Sequence, residues 1–410
     1  MTEAICRRYD MDIEPNLKTD SCFIETQNDD AEIEFLSNLK KKVRENILIG
    51  LKEQGFFLTE ENSIEEKALN KEEIRKLHKV AVNSILIKNE KFVTKNEKRL
   101  IQYFANGKEV NPDDLSVRLE IVKTGELSGD LFRYASLLWS VPISSGYGRR
   151  IRFLVWDNSN GKLIGIFALG DPVFNLRCRD SVIGWNSENR KKRIYNVMDA
   201  FILGSVPPYN AMLGGKLVAM VVASNEVRNE VKSKYSNKKG KDSTLALITT
   251  SSALGKSTIY DRIRYNGEIL YKSVGYSEGY GHFHISNEIF QDIVEILKKE
   301  GKMESNRFGN GPNWKFRVIR KGLSAVGLSP DILKHGIKRE VYCVPLADNY
   351  KEYLCEKTDL LSLMNAPIED VVTEWKERWM KNRIITRTEY KTVTREETAK
   401  LVRRDVIGKK

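Results

Sequence analysis

The 410-residue chain is short of cysteine and histidine and has no long hydrophobic run. Its five cysteines (Cys6, Cys22, Cys178, Cys343 and Cys355) are scattered, odd in number and never spaced as CxxC. That pattern excludes a zinc ribbon and a disulfide framework, and it is the one expected of reduced thiols in a cytoplasmic protein. No stretch approaches the roughly 18 apolar residues of a membrane span, so no membrane partner is expected. The N-terminus is acidic and polar, unlike a secretory or transit signal. No internal repeat occurs. No Ser-His-Asp set, pair of catalytic carboxylates or nuclease signature stands out; lone acids such as Asp171, Asp180 and Asp199 are present, with nothing to select among them.

What is present is a soluble composition with a strong basic bias. Hydrophobic residues make up 41% of the chain and the mean hydropathy is −0.43, enough for a real core. The length suggests about two to three domains. The formal net charge is +12, and its distribution is uneven. Residues 1–40 hold ten acids and four bases; residues 376–410 hold twelve bases and five acids. Two internal runs, Arg177 to Arg193 and Arg228 to Lys241, are also basic. Such clusters attract phosphate backbones through counterion release. A solvated basic surface is the plainer alternative. Aromatic residues lie among the basic runs, which favours nucleic acid, DNA in the first instance, as the expected partner.

The periodicity divides the chain into a flexible acidic arm (1–30), a helical domain (31–110), an α/β core (111–285), a mostly helical part (286–383) and a basic tail (384–410). Apolar residues at helical spacing predict helices over 31–51, 65–87 and 92–104. Nothing there marks a DNA-reading helix, so a supporting role is expected. Residues 117–125 alternate as a strand, and Ser128 is placed to cap a helix running to Trp139. Arg150 to Trp156 and Lys162 to Leu169 are strands joined by Asp157-Asn-Ser-Asn-Gly161, a strong hairpin signal. Ala200 to Leu203 is a buried strand that Pro207 and Pro208 terminate. Gly214 and Gly215 then open an apolar helix whose free N–H groups form an anion cradle. Strands are expected at 244–250, 269–274 and 282–285, with a short helix at 256–264. The fold class is therefore α/β (α+β), a mixed sheet flanked by helices.

Four constellations could carry chemistry. Thr250 to Thr258 contains Gly-Lys-Ser before an expected helix, but Thr250 stands where a phosphate loop needs its first glycine. His282 and His284 would share one face of a strand and serve as a base and a hydrogen-bond donor, beside the aromatic loop 275–281 with Tyr280. No acid or cysteine at close spacing completes a metal site, so none is assigned. Lys315 and Arg317 follow the loop Phe308-Gly-Asn-Gly-Pro-Asn-Trp314 and could dock a phosphate. In the basic run, Arg177, Arg179, Arg190, Lys191 and Lys192 are expected to contact phosphates, with Trp185 and Tyr280 stacking on bases.

Two resemblances follow from the residues. The element order over roughly 117–285 resembles the acetyltransferase fold of the GNAT superfamily. Val206-x-Pro208-Tyr209 with Gly214 is similar to its cofactor loop, and Ile259-Tyr260 to its Leu-Tyr motif. By that resemblance Tyr260 would be a general acid toward a departing thiolate. Ala211 and Lys216 depart from the family pattern, which expects Arg or Gln and a small residue. Lys216 would crowd a pyrophosphate and could instead turn the helix end toward a nucleic-acid phosphate, so no cofactor is assigned. The second resemblance is closer. The runs Asp171 to Asp180, Ile183 to Asn186, Leu203 to Asn210, Leu213 to Ala219, Ser273 to His284, Phe308 to Trp314 and His335 to Val341 resemble the DruA family. Members belong to Druantia anti-phage systems. The resemblance implies a role in phage defence beside other Druantia components, including a large helicase-like protein. It brings no catalytic residues. An enzyme modifying a nucleotide, base or protein group through Tyr260, His282 and His284, and a scaffold docking its partner through the basic tail, remain alternative readings.

Overall fold

A computed structural model describes residues 22–65, 68–143, 148–236, 242–303 and 314–403. Most of the expected N-terminal arm, the loop 308–313, residues 237–241 of the second basic run and the last seven residues lie outside them. The chain divides into two compact units, residues 1–49 with 287–330, and residues 50–286 with 331–410.

The first unit is built on helices. It holds most of α1 (Cys22–Gln54), which begins ahead of its expected start and is followed by Gly55, whose φ of +94° a side chain would resist. The long second helix, α2 (Lys71–Leu100), belongs to the other unit; it replaces the two helices expected there. Asn70 and Glu73 form a reciprocal capping box at its start. No Gly or Pro lies between Lys71 and Leu100 to break it, so the two apolar patterns run on as one helix. Two further helices, α8 (Asn287–Lys299) and α9 (Trp314–Ala325), complete the first unit.

The second unit holds a seven-stranded sheet. In chain order its elements are β1 (Val117–Ile121), α3 (Leu127–Ser136), β2 (Arg150–Asp157), β3 (Lys162–Gly170), α4 (Arg177–Ile183), α5 (Ser187–Arg193), β4 (Val197–Ser205), α6 (Gly214–Val221), α7 (Asn225–Tyr235) and β5 (Leu247–Ser251). A two-stranded ribbon, β6 (Arg264–Tyr265) and β7 (Glu268–Ile269), precedes β8 (Lys272–Tyr276). The helices of the first unit, α8 (Asn287–Lys299) and α9 (Trp314–Ala325), interrupt the order, and Gly322 lets them pack closely: a Cβ there would lie 2.2 Å from Ile293 Cγ2. The second unit resumes with β9 (Glu340–Pro345), α10 (Tyr350–Leu354), α11 (Ile368–Trp375), α12 (Lys381–Thr386) and α13 (Arg395–Arg403).

The strand order is β1-β2-β3-β4-β5-β9-β8. β1 to β4 are antiparallel, and the β2–β3 hairpin turns where expected, at Gly161 with φ +67°. β4 and β5 are parallel and pair only from Val197–Leu247 to Asp199–Thr249. β9 inserts antiparallel between β5 and β8. Thus the mixed α/β class is as expected: near-continuous apolar β2 and β3 are buried between two layers. One face packs on α6, α7 and α11; the other packs on α2, α3 and α13.

Several expectations need correction. The segment 256–264 is only a single 3-10 turn, Tyr260–Arg262, because Ser257 and Tyr342 tie its start to β9. Residues 282–285 form a turn rather than a strand, so His282 and His284 do not share a strand face. Ser128 does not cap α3; its hydroxyl accepts a hydrogen bond from the Lys123 amide instead. The tail also has structure where it is described. Ala399 and Val402 of α13 are buried with Val93, Leu100 and Phe104, Arg395 Nε donates to the Phe104 carbonyl at 2.7 Å, and Arg403 pairs with Glu97 at 3.2 Å. Two of the bases expected for docking, Arg395 and Arg403, are therefore used internally.

Candidate nucleic-acid interface

The basic run that follows β3 folds into the two short helices α4 and α5, separated by Gly184 in the left-handed region (φ +85°). Its arginines and lysines have different roles. Arg179 is fully buried. Its Nε donates to Asp180 Oδ1 at 2.7 Å, Nη1 to the Val173 carbonyl at 2.8 Å and Nη2 to the Phe174 carbonyl at 3.0 Å. Asp180 also accepts from Arg190 Nη1 at 3.0 Å and from the Leu176 amide at 3.2 Å. A buried guanidinium is tolerated only when its donors are met, and here a carboxylate and two carbonyls meet them. Trp185 is buried beneath Arg179, 5.2 Å from its guanidinium, and its indole N–H donates to the Leu354 carbonyl at 2.7 Å. Arg179 and Trp185 are thus the scaffold of this corner, and neither presents an open face for a phosphate or a base. Arg190 is half-buried against Asp180.

The outward cations are Arg177, Lys191 and Lys192. Lys192 pairs with Glu356 at 3.2 Å and Glu188 at 3.4 Å, and these contacts raise its pKa. Arg193 pairs with Asp359 at 2.7 Å. Arg177 and Lys191 make no ion pair among the described residues. Lys272, on the neighbouring edge strand β8, is exposed and likewise has none. Sequence reasoning missed Lys272 because nothing local relates its strand to α4; β8 meets α4 at Gly275, where an added Cβ would lie 3.1 Å from the Cys178 Cβ.

The remaining expected site residues lie elsewhere. Gly214 is packed rather than open: a Cβ there would meet the Tyr209 carbonyl at 2.6 Å. At Gly215 an added Cβ would make only ordinary contact with Ile259 and Ser205. Lys216 is buried, donates to the Ile259 carbonyl at 2.8 Å and lies 4.2 Å over the Trp379 ring; burial lowers its pKa to about 8. The cradle therefore holds its own lysine. Tyr260 stacks on Tyr271 at 4.8 Å, and burial pushes its hydroxyl up to about 12. Lys315 donates to Asn287 Oδ1 at 3.1 Å and covers Phe290, and Arg317 is half-buried; both belong to the other unit. Tyr280 is exposed and forms a β-bridge with Lys334.

His284 is buried in an aromatic cluster that the sequence did not reveal. His78 of α2, Phe283, His284 and His335 pack together, with His78 4.2 Å from Phe283 and His284 6.2 Å from His335. Neither ring nitrogen of His78 or His284 has a hydrogen-bond partner among the described residues. Tyr260 packs instead with Tyr271 and Tyr342, so the proposed chemical residues fall into two separate clusters. Among the described residues, no group of three or more His, Cys, Asp or Glu is arranged to hold a metal ion. Of the three lone acids, Asp171 is paired with Arg149 at 2.7 Å and Asp180 with two arginines. Only Asp199 stands without an ion pair. It sits where β4 and β5 part, accepts from Thr249 Oγ1 at 2.7 Å, and burial raises its pKa to about 6.

Fold and site together define a mixed α/β protein with a braced basic corner beside the edge of its sheet. No helix among the described residues is long and apolar enough to cross a membrane. The profile of the family described as "Druantia protein DruA" matches residues 68–356. A protein of Escherichia coli (strain UMEA 4076-1) named Druantia protein DruA is 42% identical over 366 residues, covering 87% of this chain and 89% of that one. The chain belongs to the DruA family. With the family comes its class, the Druantia anti-phage defence proteins. No solved structure matches the chain.

Proposed function

We propose that this DruA-family protein contributes to phage defence by binding nucleic acid, DNA in the first instance, through the α4–α5 corner. The observation that carries this reading is the separation of roles in the basic run. Arg179 and Arg190 are used to build the corner, whereas Arg177, Lys191 and the adjacent Lys272 are exposed and make no ion pair among the described residues. Unpaired exposed cations on a rigid support gain the most from releasing counterions of a polyanion. Other Druantia components, a large helicase-like protein among them, are the proposed partners.

The salt dependence of binding tests the reading. Fluorescence anisotropy with labelled DNA is expected to give affinities that fall steeply with salt. The double reversal Arg177→Glu/Lys191→Glu is expected to weaken binding at least tenfold near physiological salt and to shallow the slope by about two phosphates' worth. Affinity that ignores both salt and the reversal would remove the reading.

A second reading is an enzyme acting on a nucleotide, base or protein group in the same core. Asp199 supports it: a carboxyl with a raised pKa, unpaired, stands where the parallel strand pair opens. The GNAT-like reading of the core draws support from the four antiparallel strands followed by that parallel pair. The buried Lys216 in the loop weighs against a pyrophosphate grip there. Heat-stability shifts with acetyl-CoA, nucleotides or divalent ions, together with lost defence in Asp199→Asn, would favour the enzyme.

A further inference from the structure

The feature that Arg179 supports is itself unusual. Its two outer nitrogens hold the carbonyls of Val173 and Phe174, yet the side chains of those residues point outward: Val173 is 48% and Phe174 43% exposed. Leaving two apolar side chains in water forgoes burial worth about 25 cal/mol for each Å². Fixing them there with a buried, ion-paired arginine restricts them further. Arg190 braces the Phe174 ring from one side, 4.8 Å from its centre, and is itself tied to Asp180. The ring is thus held at the surface by two arginines sharing one carboxylate. Such bracing is the preorganisation a recognition element needs, since little conformational freedom is left to lose on binding.

Exposed cations stand on the same two helices: Arg177 opens α4, and Lys191 follows Arg190 in α5. A Cβ at Gly275 would sit 3.1 Å from the Cys178 Cβ, so β8 lies directly against α4. Lys272 begins that strand opposite Cys343, on the face of the sheet that packs against α4, and is exposed. A fixed, exposed ring therefore shares this corner with cations that make no ion pair among the described residues. A protein partner would leave those cations unmatched unless it were itself acidic; a chain of phosphates with planar bases matches both the charges and the ring. Within a duplex the base faces are covered by their neighbours, whereas an unpaired strand offers a face at every nucleotide.

We propose that the Phe174 corner is a stacking site for unpaired nucleobases, and that the ligand of this surface is single-stranded nucleic acid. The proposal rests on the nucleic-acid reading above and names its substrate class. Phe174 takes a base; Arg177, Lys191 and Lys272 follow the phosphates; Arg179 and Arg190 are positioning residues.

Full-length protein would be titrated with labelled single-stranded DNA, single-stranded RNA of the same sequence, and the matching DNA duplex. Single strands are expected to bind more tightly than the duplex. Phe174→Ala is expected to weaken single-strand binding about tenfold without changing its salt slope, and Phe174→Trp to retain it. The ring is exposed, so the thermal midpoint of the alanine variant should match the parent and exclude a folding defect. The DNA and RNA arms identify which strand chemistry the site takes. Equal affinity for duplex and single strand, or unchanged affinity in Phe174→Ala, overturns the stacking proposal. If Arg177→Glu/Lys191→Glu still weakens binding in that case, the nucleic-acid reading survives. Binding to none of the three overturns both.

Discussion

Replacing Arg179 with alanine is expected to lower the stability of the protein by about 3–5 kcal/mol, the cost of breaking a buried pair by removing one partner. The loss has a definite origin. Asp180 would remain buried with one arginine instead of two, and the carbonyls of Val173 and Phe174 would lose their donors. Trp185, packed beneath the guanidinium, would lose a neighbour as well. Arg179→Lys keeps the charge but cannot reach a carboxylate and two carbonyls at once, so an intermediate loss is expected. Urea denaturation followed by tryptophan fluorescence would measure both. A loss below 1 kcal/mol for Arg179→Ala would mean that the corner is not braced as described.

Acid should unfold the protein through its histidines. Burial is the main cause that lowers His78 and His284 to about 3 and His335 to about 4. Neighbouring positive charge adds to it: Arg339 and His335 act on His78, His335 and His282 on His284, and Arg339 on His335. An unfolded histidine takes its proton near 6.5, so below that pH the unfolded state binds more protons than the folded one. Stability is therefore full above pH 6.5 and falls as the pH drops toward 4, by several kcal/mol on the linkage scale of about 1.4 kcal/mol per unit. His78→Leu removes one such group and breaks no hydrogen bond among the described residues. Thermal midpoints measured across that range should fall less steeply for the variant. A parallel pH dependence in variant and parent would place the acid sensitivity elsewhere.

These two effects mark what the sequence did and did not reveal. The β2–β3 hairpin was legible because Asp157 to Gly161 carries its own turn chemistry. The apolar helix after Gly214 was legible for a similar local reason, and the mixed α/β class followed from the order of such elements. Family membership was legible in seven runs of the sequence, and the comparisons bear out the family. The histidine cluster was not. It joins α2 to two segments some two hundred residues further on, and local spacing carries no signal of that kind. The role of Arg179 was hidden for a different reason. In the sequence it is one base in a basic run, and only its partners Asp180, Val173 and Phe174 distinguish it from exposed Arg177 two residues away. Exposed Phe174 drew no attention because an aromatic in a sequence is expected to be buried. Its exposure becomes informative only beside the arginines that hold it outward.

Photocrosslinking tests the central claim most directly. The full-length protein would be irradiated with a single-stranded oligonucleotide carrying 4-thiothymidine, and the adducts located by peptide mass spectrometry. The account predicts adducts within 171–193 and 272–276, lost in Phe174→Ala and in Arg177→Glu/Lys191→Glu. Adducts confined to other segments, such as the Gly214–Lys216 loop or α13, or no adducts at all, would contradict it.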